Sequence, residues 1–140
     1  MNKKGPIIVI EDDCDDREML KEVFEKLAYP NPVIFFENGQ DALEYLGAPH
    51  ELPFLILSDI NLPKLNGFDL RKKIKEDAAL QLKCIPYLFL TTALNQQMVI
   101  DAYSVSAQGF FVKDNSIAGL QETIGNIMRY WMKCAAPNNF

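Results

Sequence analysis

The sequence predicts an α/β fold, a doubly wound parallel sheet of five strands in the order 2-1-3-4-5 with helices on both faces. Three observations carry this. Short apolar runs recur along the chain, and each is followed by a segment with apolar residues at helical spacing. The runs are continuous rather than alternating, as in strands buried on both faces. Parallel strands joined by right-handed helical crossovers leave few topologies, and this order is the common five-strand solution.

Pro6 to Ile10 is β-branched and reads as the first strand, ending abruptly in Glu11-Asp12-Asp13. Met19, Leu20, Val23, Phe24 and Leu27 then mark an amphipathic helix whose acidic opening, Cys14-Asp15-Asp16, suits the positive end of the helix dipole. Tyr29 to Pro32 is a turn, and Val33 to Phe36 is the second strand. Asn38-Gly39 opens a short helix carrying Ala42, Leu43 and Leu46, closed by Gly47 to His50. The single histidine has no partner ligand nearby and is expected to be a solvated loop residue.

Phe54 to Leu57 is the third strand, with Asp59 just past it. Pro63 and Gly67 fix a turn, and Phe68, Leu70, Ile74 and Ala78 mark a third helix with Arg71, Lys72, Lys73 and Lys75 on its wet face. Pro86 to Leu90 is the fourth strand, ending in Thr91-Thr92-Ala93. A fourth helix is expected over 95–106, with Met98, Val99 and Ala102 inward. Gly109 to Val112 is the fifth strand, and Lys113 to Ser116 leads into a helix with Ile117, Leu120, Ile124, Ile127, Met128 and Trp131 as a core stripe. The whole chain, 1–140, reads as one domain with a core over 6–132 and a tail over 133–140.

Composition narrows the function classes. A net charge of −5 and a pI near 4.8 leave no basic face for nucleic acid. No apolar run approaches the roughly 18 residues that would span a bilayer, and the N-terminal apolar segment is too short for a signal peptide. The expected location is the cytoplasm. Cys14, Cys84 and Cys134 are odd in number and far apart, which points away from disulfides and zinc.

In such a fold all the strands present their carboxyl ends on one rim, where open α/β sheets keep their ligands. Glu11-Asp12-Asp13, Asp59, Thr91 and Lys113 would converge there. A bland reading of Asp59 is a cap for the next helix, but Asn61 and Asn66 are better placed to do that. At about 4 Å and an effective dielectric of about 20, each like-charge carboxylate pair costs roughly 4 kcal/mol. A divalent cation relieves that repulsion, and oxygen-only ligands favour Mg²⁺. A carboxylate nucleophile with a hydroxyl and an ammonium beside it suits phosphoryl transfer, where positioning and charge neutralisation do most of the catalysis.

From Pro6 to about Trp131 the chain resembles the receiver domain of two-component response regulators. The matching pieces are Ile-Ile-Val-Ile-Glu11-Asp12-Asp13, Leu-Ile-Leu-Ser-Asp59-Ile-Asn-Leu-Pro63 through Gly67, Leu-Thr91-Thr-Ala and Gly-Phe110-Phe-Val-Lys113, in that order at strand ends. The resemblance implies a single-domain, chemotaxis-regulator-like protein whose Asp59 accepts a phosphoryl group from a phosphohistidine on a sensor kinase or phosphotransfer protein. It implies that Asp12 binds Mg²⁺ directly, Glu11 acts through water, and Asn61 supplies its backbone carbonyl. Thr91 and Lys113 would hold phosphoryl oxygens, and Thr91 with Phe110 would form the switch. A second register would make Asp12-Asp13 the metal pair. The chain would catalyse its own phosphorylation and autodephosphorylation with no dedicated enzyme domain. Its output would be a contact with a downstream protein or onward phosphotransfer, and the fourth helix, fifth strand and fifth helix, around Tyr103, Phe110 and Gln121, would serve as partner or homodimer surface. One departure stands out. The family usually has a cis proline after its lysine, and Asp114 occupies that position, where it would also serve as a helix N-cap.

Three rivals share parts of this pattern. A flavodoxin-like cofactor protein needs a first loop that cradles phosphate, and Glu11-Asp12-Asp13 would repel one. A haloacid-dehalogenase-type phosphatase has a second acid two residues past its nucleophile, where this chain has Asn61. A receiver-like binding module that is never phosphorylated would be expected to have lost one of the key side chains, and all are present.

Overall fold

In the computed structural model, residues 1–92 and 94–137 are described. Ala93 and the last three residues of the expected tail lie outside them. The strands are β1 (Ile7–Ile10), β2 (Val33–Phe36), β3 (Leu55–Ser58), β4 (Tyr87–Thr91) and β5 (Gly109–Val112). The helices are α1 (Cys14–Leu27), α2 (Gly39–Gly47), α3 (Gly67–Glu76), α4 (Ala78–Leu82), α5 (Gln96–Ser104) and α6 (Ile117–Lys133). All pairings are parallel and the order is β2-β1-β3-β4-β5, as the sequence predicts.

The two faces of the sheet follow the alternation of side chains along each strand. Ile7, Val9, Leu55, Leu57, Leu88 and Leu90 face one way and pack against Leu20, Val23 and Phe24 of α1 and Leu120, Ile124 and Met128 of α6. Ile8, Ile10, Ile56, Tyr87 and Phe89 face the other way, against Ala42 and Leu46 of α2, Leu70 and Ile74 of α3, and Ala102 of α5. The strands are one residue shorter at the start than expected at Pro6 and Pro86. Each proline accepts a bond, from Phe54 N–H at 2.8 Å and Ile56 N–H at 2.9 Å, but has no N–H to return.

Four local expectations are corrected. The third helix is two helices, because Asp77 takes an extended conformation, ending α3 and capping α4 by accepting from Leu80 N–H at 3.1 Å. Arg71 is not on the wet face but buried against Tyr87. His50 is half-buried, with its ring 5.0 Å from that of Tyr45 and Nδ1 2.7 Å from the Ala48 carbonyl. Ser116, not Asp114, caps α6, and Asp114 instead accepts from both the N–H and the hydroxyl of Ser116 at 2.8 Å. Beyond α6, Ala136 is buried in the core on the α1–α6 side.

Candidate functional site

The register of the sheet sets the rim. Ile10 pairs with Ser58, so Glu11 and Asp59 are each the first residue past the end of neighbouring strands. Both are held there by the last rungs of the ladder, Glu11 N–H to Phe36 O at 2.9 Å and Asp59 N–H to Ile10 O at 3.0 Å. Thr91 pairs with Val112, and the Lys113 N–H donates to the Thr91 carbonyl at 2.8 Å. Four residues far apart in sequence are thus placed by backbone pairing alone.

The turn after Asp59 folds back tightly. Gly67 N–H donates to Ile60 O at 2.8 Å, and a Cβ on Gly67 would lie 2.2 Å from the Asp59 carbonyl oxygen, so only glycine fits. Lys64 takes a left-handed conformation (φ 64°) between Pro63 O and Leu65 N–H, which bond at 2.7 Å. Asn66 then caps α3 by accepting from Asp69 N–H at 2.9 Å.

The Asp59 carboxylate has two fixed neighbours. One oxygen accepts from Ile60 N–H at 2.7 Å, and the other lies 3.4 Å from the Lys113 ammonium. That ammonium also donates to Asp16 at 2.9 Å and to Glu11. The Lys113 and Glu11 side chains are only 5% and 2% exposed, so this contact is made away from bulk water. Burial pushes the Glu11 carboxyl up to about 8, against the pull of Lys113 and with the help of nearby Asp59. Burial alone would lower the Lys113 ammonium, but Glu11, Asp16 and Asp59 around it drive its pKa upward. Burial would raise Asp16, and its bond to Lys113 outweighs that and holds it below the ordinary aspartate value.

Carboxylate oxygens of Glu11, Asp12 and Asp59 lie within 4.8 Å of one another. The second oxygen of Glu11 is buried without a hydrogen-bond partner. A hard divalent cation suits this donor set, because all its atoms are oxygen and an unpaired buried carboxylate oxygen is costly. Asp13 is engaged elsewhere, capping α1 through a 3.0 Å bond from Asp16 N–H. The structure therefore gathers Glu11, Asp12, Asp59 and Lys113, with buried Thr91 joined to Lys113 through the backbone. Asn61 is exposed on the following loop. Phe110 is not in the cluster: it pairs with Phe89, lies on the α2–α5 side, and its ring is 6.2 Å from that of Phe89. The Lys113–Asp114 peptide is trans.

Sequence reasoning singled out neither Asp16 nor Arg17 for this site. Asp16 was visible only as one of several acidic residues in a helix opening. Arg17 donates to the Glu11 carbonyl at 2.9 Å and pairs with Glu37 at 3.3 Å, tying the first turn of α1 to the rim. The signal was the position of both residues one turn into the helix that leaves the rim, where side chains reach back toward the preceding loop.

Comparison with known proteins bears on the family and the fold. The pattern of the response regulator receiver domain family matches residues 7–125. Response regulator Rcp1 of Synechocystis sp. is 29% identical over 137 residues, covering 94% of this chain and 92% of the relative. Among solved structures, the phosphorylated cyanobacterial phytochrome response regulator RcpA superposes with a TM-score of 0.83 at 27% identity, covering 96% of this chain and 98% of the other. The Mn²⁺-bound form of response regulator Rcp1 gives 0.79 at 28% identity, with 96% and 99% coverage.

Proposed function

This chain belongs to the response regulator receiver domain family of two-component signalling, and from that premise we propose that Asp59 is its phosphoacceptor. The observation that carries the reading is the state of the Asp59 carboxylate: one oxygen is pinned by the Ile60 N–H, the other faces the Lys113 ammonium, and Glu11 and Asp12 stand beside it. A carboxylate oxygen of Asp59 attacks the phosphorus of a phosphohistidine on a sensor kinase or phosphotransfer protein. The P–N bond breaks with its electron pair left on the imidazole nitrogen, and an aspartyl phosphate forms.

Asp12, Glu11 (through water), Asp59 and the Asn61 backbone carbonyl are the groups that would hold Mg²⁺. When bound, that cation neutralises charge on the phosphoryl oxygens. Lys113 supplies a mobile point charge for one phosphoryl oxygen, and the Thr91 hydroxyl donates to another. The phosphoryl group adds charge and strong acceptors beside β4. Thr91 moves toward them, and Phe110, which has no hydroxyl to anchor it outward, follows. The face formed by α5, β5 and α6 around exposed Tyr103, Phe110 and Gln121 then changes, as the surface for a downstream protein or a second copy.

The test is incubation with acetyl phosphate and Mg²⁺, read by intact mass. Wild type gains the mass of one phosphoryl group, and Asp59→Asn gains none while keeping its circular dichroism spectrum. Full labelling of the variant at another carboxylate would overturn the assignment.

A further inference from the structure

An ammonium has three N–H donors, and the one on Lys113 is surrounded by three carboxylates: Glu11, Asp16 at 2.9 Å and Asp59 at 3.4 Å. The oxygen cluster suited to a divalent cation is formed by Glu11, Asp12 and Asp59. The two sets share Glu11 and Asp59. Asp12 belongs to the cation cluster alone, and Asp16, which meets the ammonium and also the Glu11 carboxyl, lies outside that cluster.

This division has a consequence for the order of events in the cleft. Two cations compete for Glu11 and Asp59, and they repel each other at short range. When a divalent cation takes those carboxylates, the ammonium needs another anion. It must also stay close, because the reaction needs it at a phosphoryl oxygen. Asp16 meets both needs. Its backbone N–H is bonded to the cap Asp13 at 3.0 Å, and the next residue, Arg17, is bonded to the Glu11 carbonyl at 2.9 Å. The carboxylate is therefore presented from a fixed helical turn. Its side chain is 31% exposed, at the outer edge of the cleft, where an ammonium drawn toward it leaves the inner carboxylates.

We infer that Asp16 is a positioning residue that retains the Lys113 ammonium at the α1 edge of the cleft while a divalent cation occupies Glu11, Asp12 and Asp59. The inference rests on reading that cluster as the Mg²⁺ site and Asp59 as the phosphoacceptor. Without Asp16 the ammonium has only Glu11 and Asp59, holds them more tightly, and opposes the metal more strongly.

The test is calorimetric titration of Mg²⁺ into wild type, Asp16→Asn, Lys113→Ala and the double variant. Asp16→Asn weakens Mg²⁺ binding about tenfold, the low end for groups that act on metal ligands from outside the coordination shell. In the Lys113→Ala background the same substitution changes affinity by less than about twofold, because its route is gone. Asp16→Glu recovers most of the wild-type affinity. An equal loss in both backgrounds, or no loss in either, overturns the inference. Should Lys113→Ala fail to fold, the Lys113 ¹⁵Nζ resonance decides. On Mg²⁺ addition it stays in slow hydrogen exchange in wild type and loses that protection in Asp16→Asn, and equal behaviour in both overturns the inference. Failure of the underlying reading looks different: wild type then binds no Mg²⁺ or takes no phosphoryl group at Asp59.

Discussion

Lys113 and Arg71 are both buried cations, each 9% exposed, yet their surroundings differ in kind. Arg71, on α3, donates from Nε to the Val105 carbonyl at 3.1 Å and from Nη2 to the Ser106 carbonyl at 2.9 Å, with its guanidinium 5.6 Å from the centre of the Tyr87 ring. Tyr87 is itself fixed, donating to the Gly67 carbonyl at 3.0 Å from a fully buried position. Those carbonyls belong to the C-cap of α5 and the residue after it, so a cation there complements the helix dipole. The partners are backbone, and none of them can change charge or leave. Lys113 is held by three carboxylates that can take a proton, a metal or a phosphoryl group instead. Burial of a cation is thus no indicator of function by itself. Exchangeable partners are.

The largest effect that would sharpen this contrast is at the rim. Lys113→Ala should slow phosphoryl acceptance about 10²–10³-fold, the usual loss when one preorganised charge or donor is removed from developing transition-state charge. The measurement is the initial rate of mass gain with acetyl phosphate, and an unchanged rate would place Lys113 with Arg71 as a structural cation.

Arg71→Ala should do the reverse. It removes the charged donor from the Val105 and Ser106 carbonyls, and we expect a loss of about 2–3 kcal/mol in urea unfolding. Phosphoryl acceptance by the folded fraction should be unchanged. A fall in labelling rate comparable to that of the Lys113 variant would break the comparison.

The smallest effect is in the pH dependence of stability. Burial raises the Glu11 pKa to about 8 in the folded protein, above its ordinary value. The folded state then binds more protons than the unfolded one between about pH 4.5 and 8, so stability falls as pH rises through that window. Lys113, raised above its ordinary value, contributes stability that is lost only in strong alkali, and Asp16, lowered, contributes stability lost only in acid. Glu11 therefore gives the slope its sign through that window, opposed near the upper end by the Met1 amino group, which burial lowers. Urea midpoints at pH 5.5 and 8.5 should differ in wild type and converge in Glu11→Gln. Arg71→Ala leaves Glu11 and its partners in place, so the Glu11 contribution to the slope should persist in that variant.

Much of the molecule was legible in the chain because its signals are local. Continuous apolar runs such as Leu55 to Leu57 can be strands buried on both faces and little else, and the register then carries Glu11, Asp59, Thr91 and Lys113 to one rim. Asn38 and Asn66 could be placed before their helices because a cap bonds to a backbone only a few residues away, whereas the cap of α6, expected at Asp114, is Ser116, a polar residue further on that competes for the same role. The break at Asp77 was missed because the apolar spacing runs on through it, and periodicity does not register the conformation of a single capping residue.

What the sequence determined by itself was therefore the order of the strands, the apolar stripes of the helices, and the set of residues that end up at the carboxyl ends of the strands. Only the tertiary structure decided which of those groups touch. Glu11 and Asp16 reach Lys113 across separations of 102 and 97 residues, and Arg71 reaches Ser106 across 35. No periodicity encodes such pairs. A basic residue beside an apolar stripe reads the same whether it points to water or into a neighbouring helix end, and an acid in a helix opening reads the same whether it meets solvent or an ammonium. The packing of α1 and α3 against their neighbours chooses between these, because a charge is buried only where the fold brings it a partner.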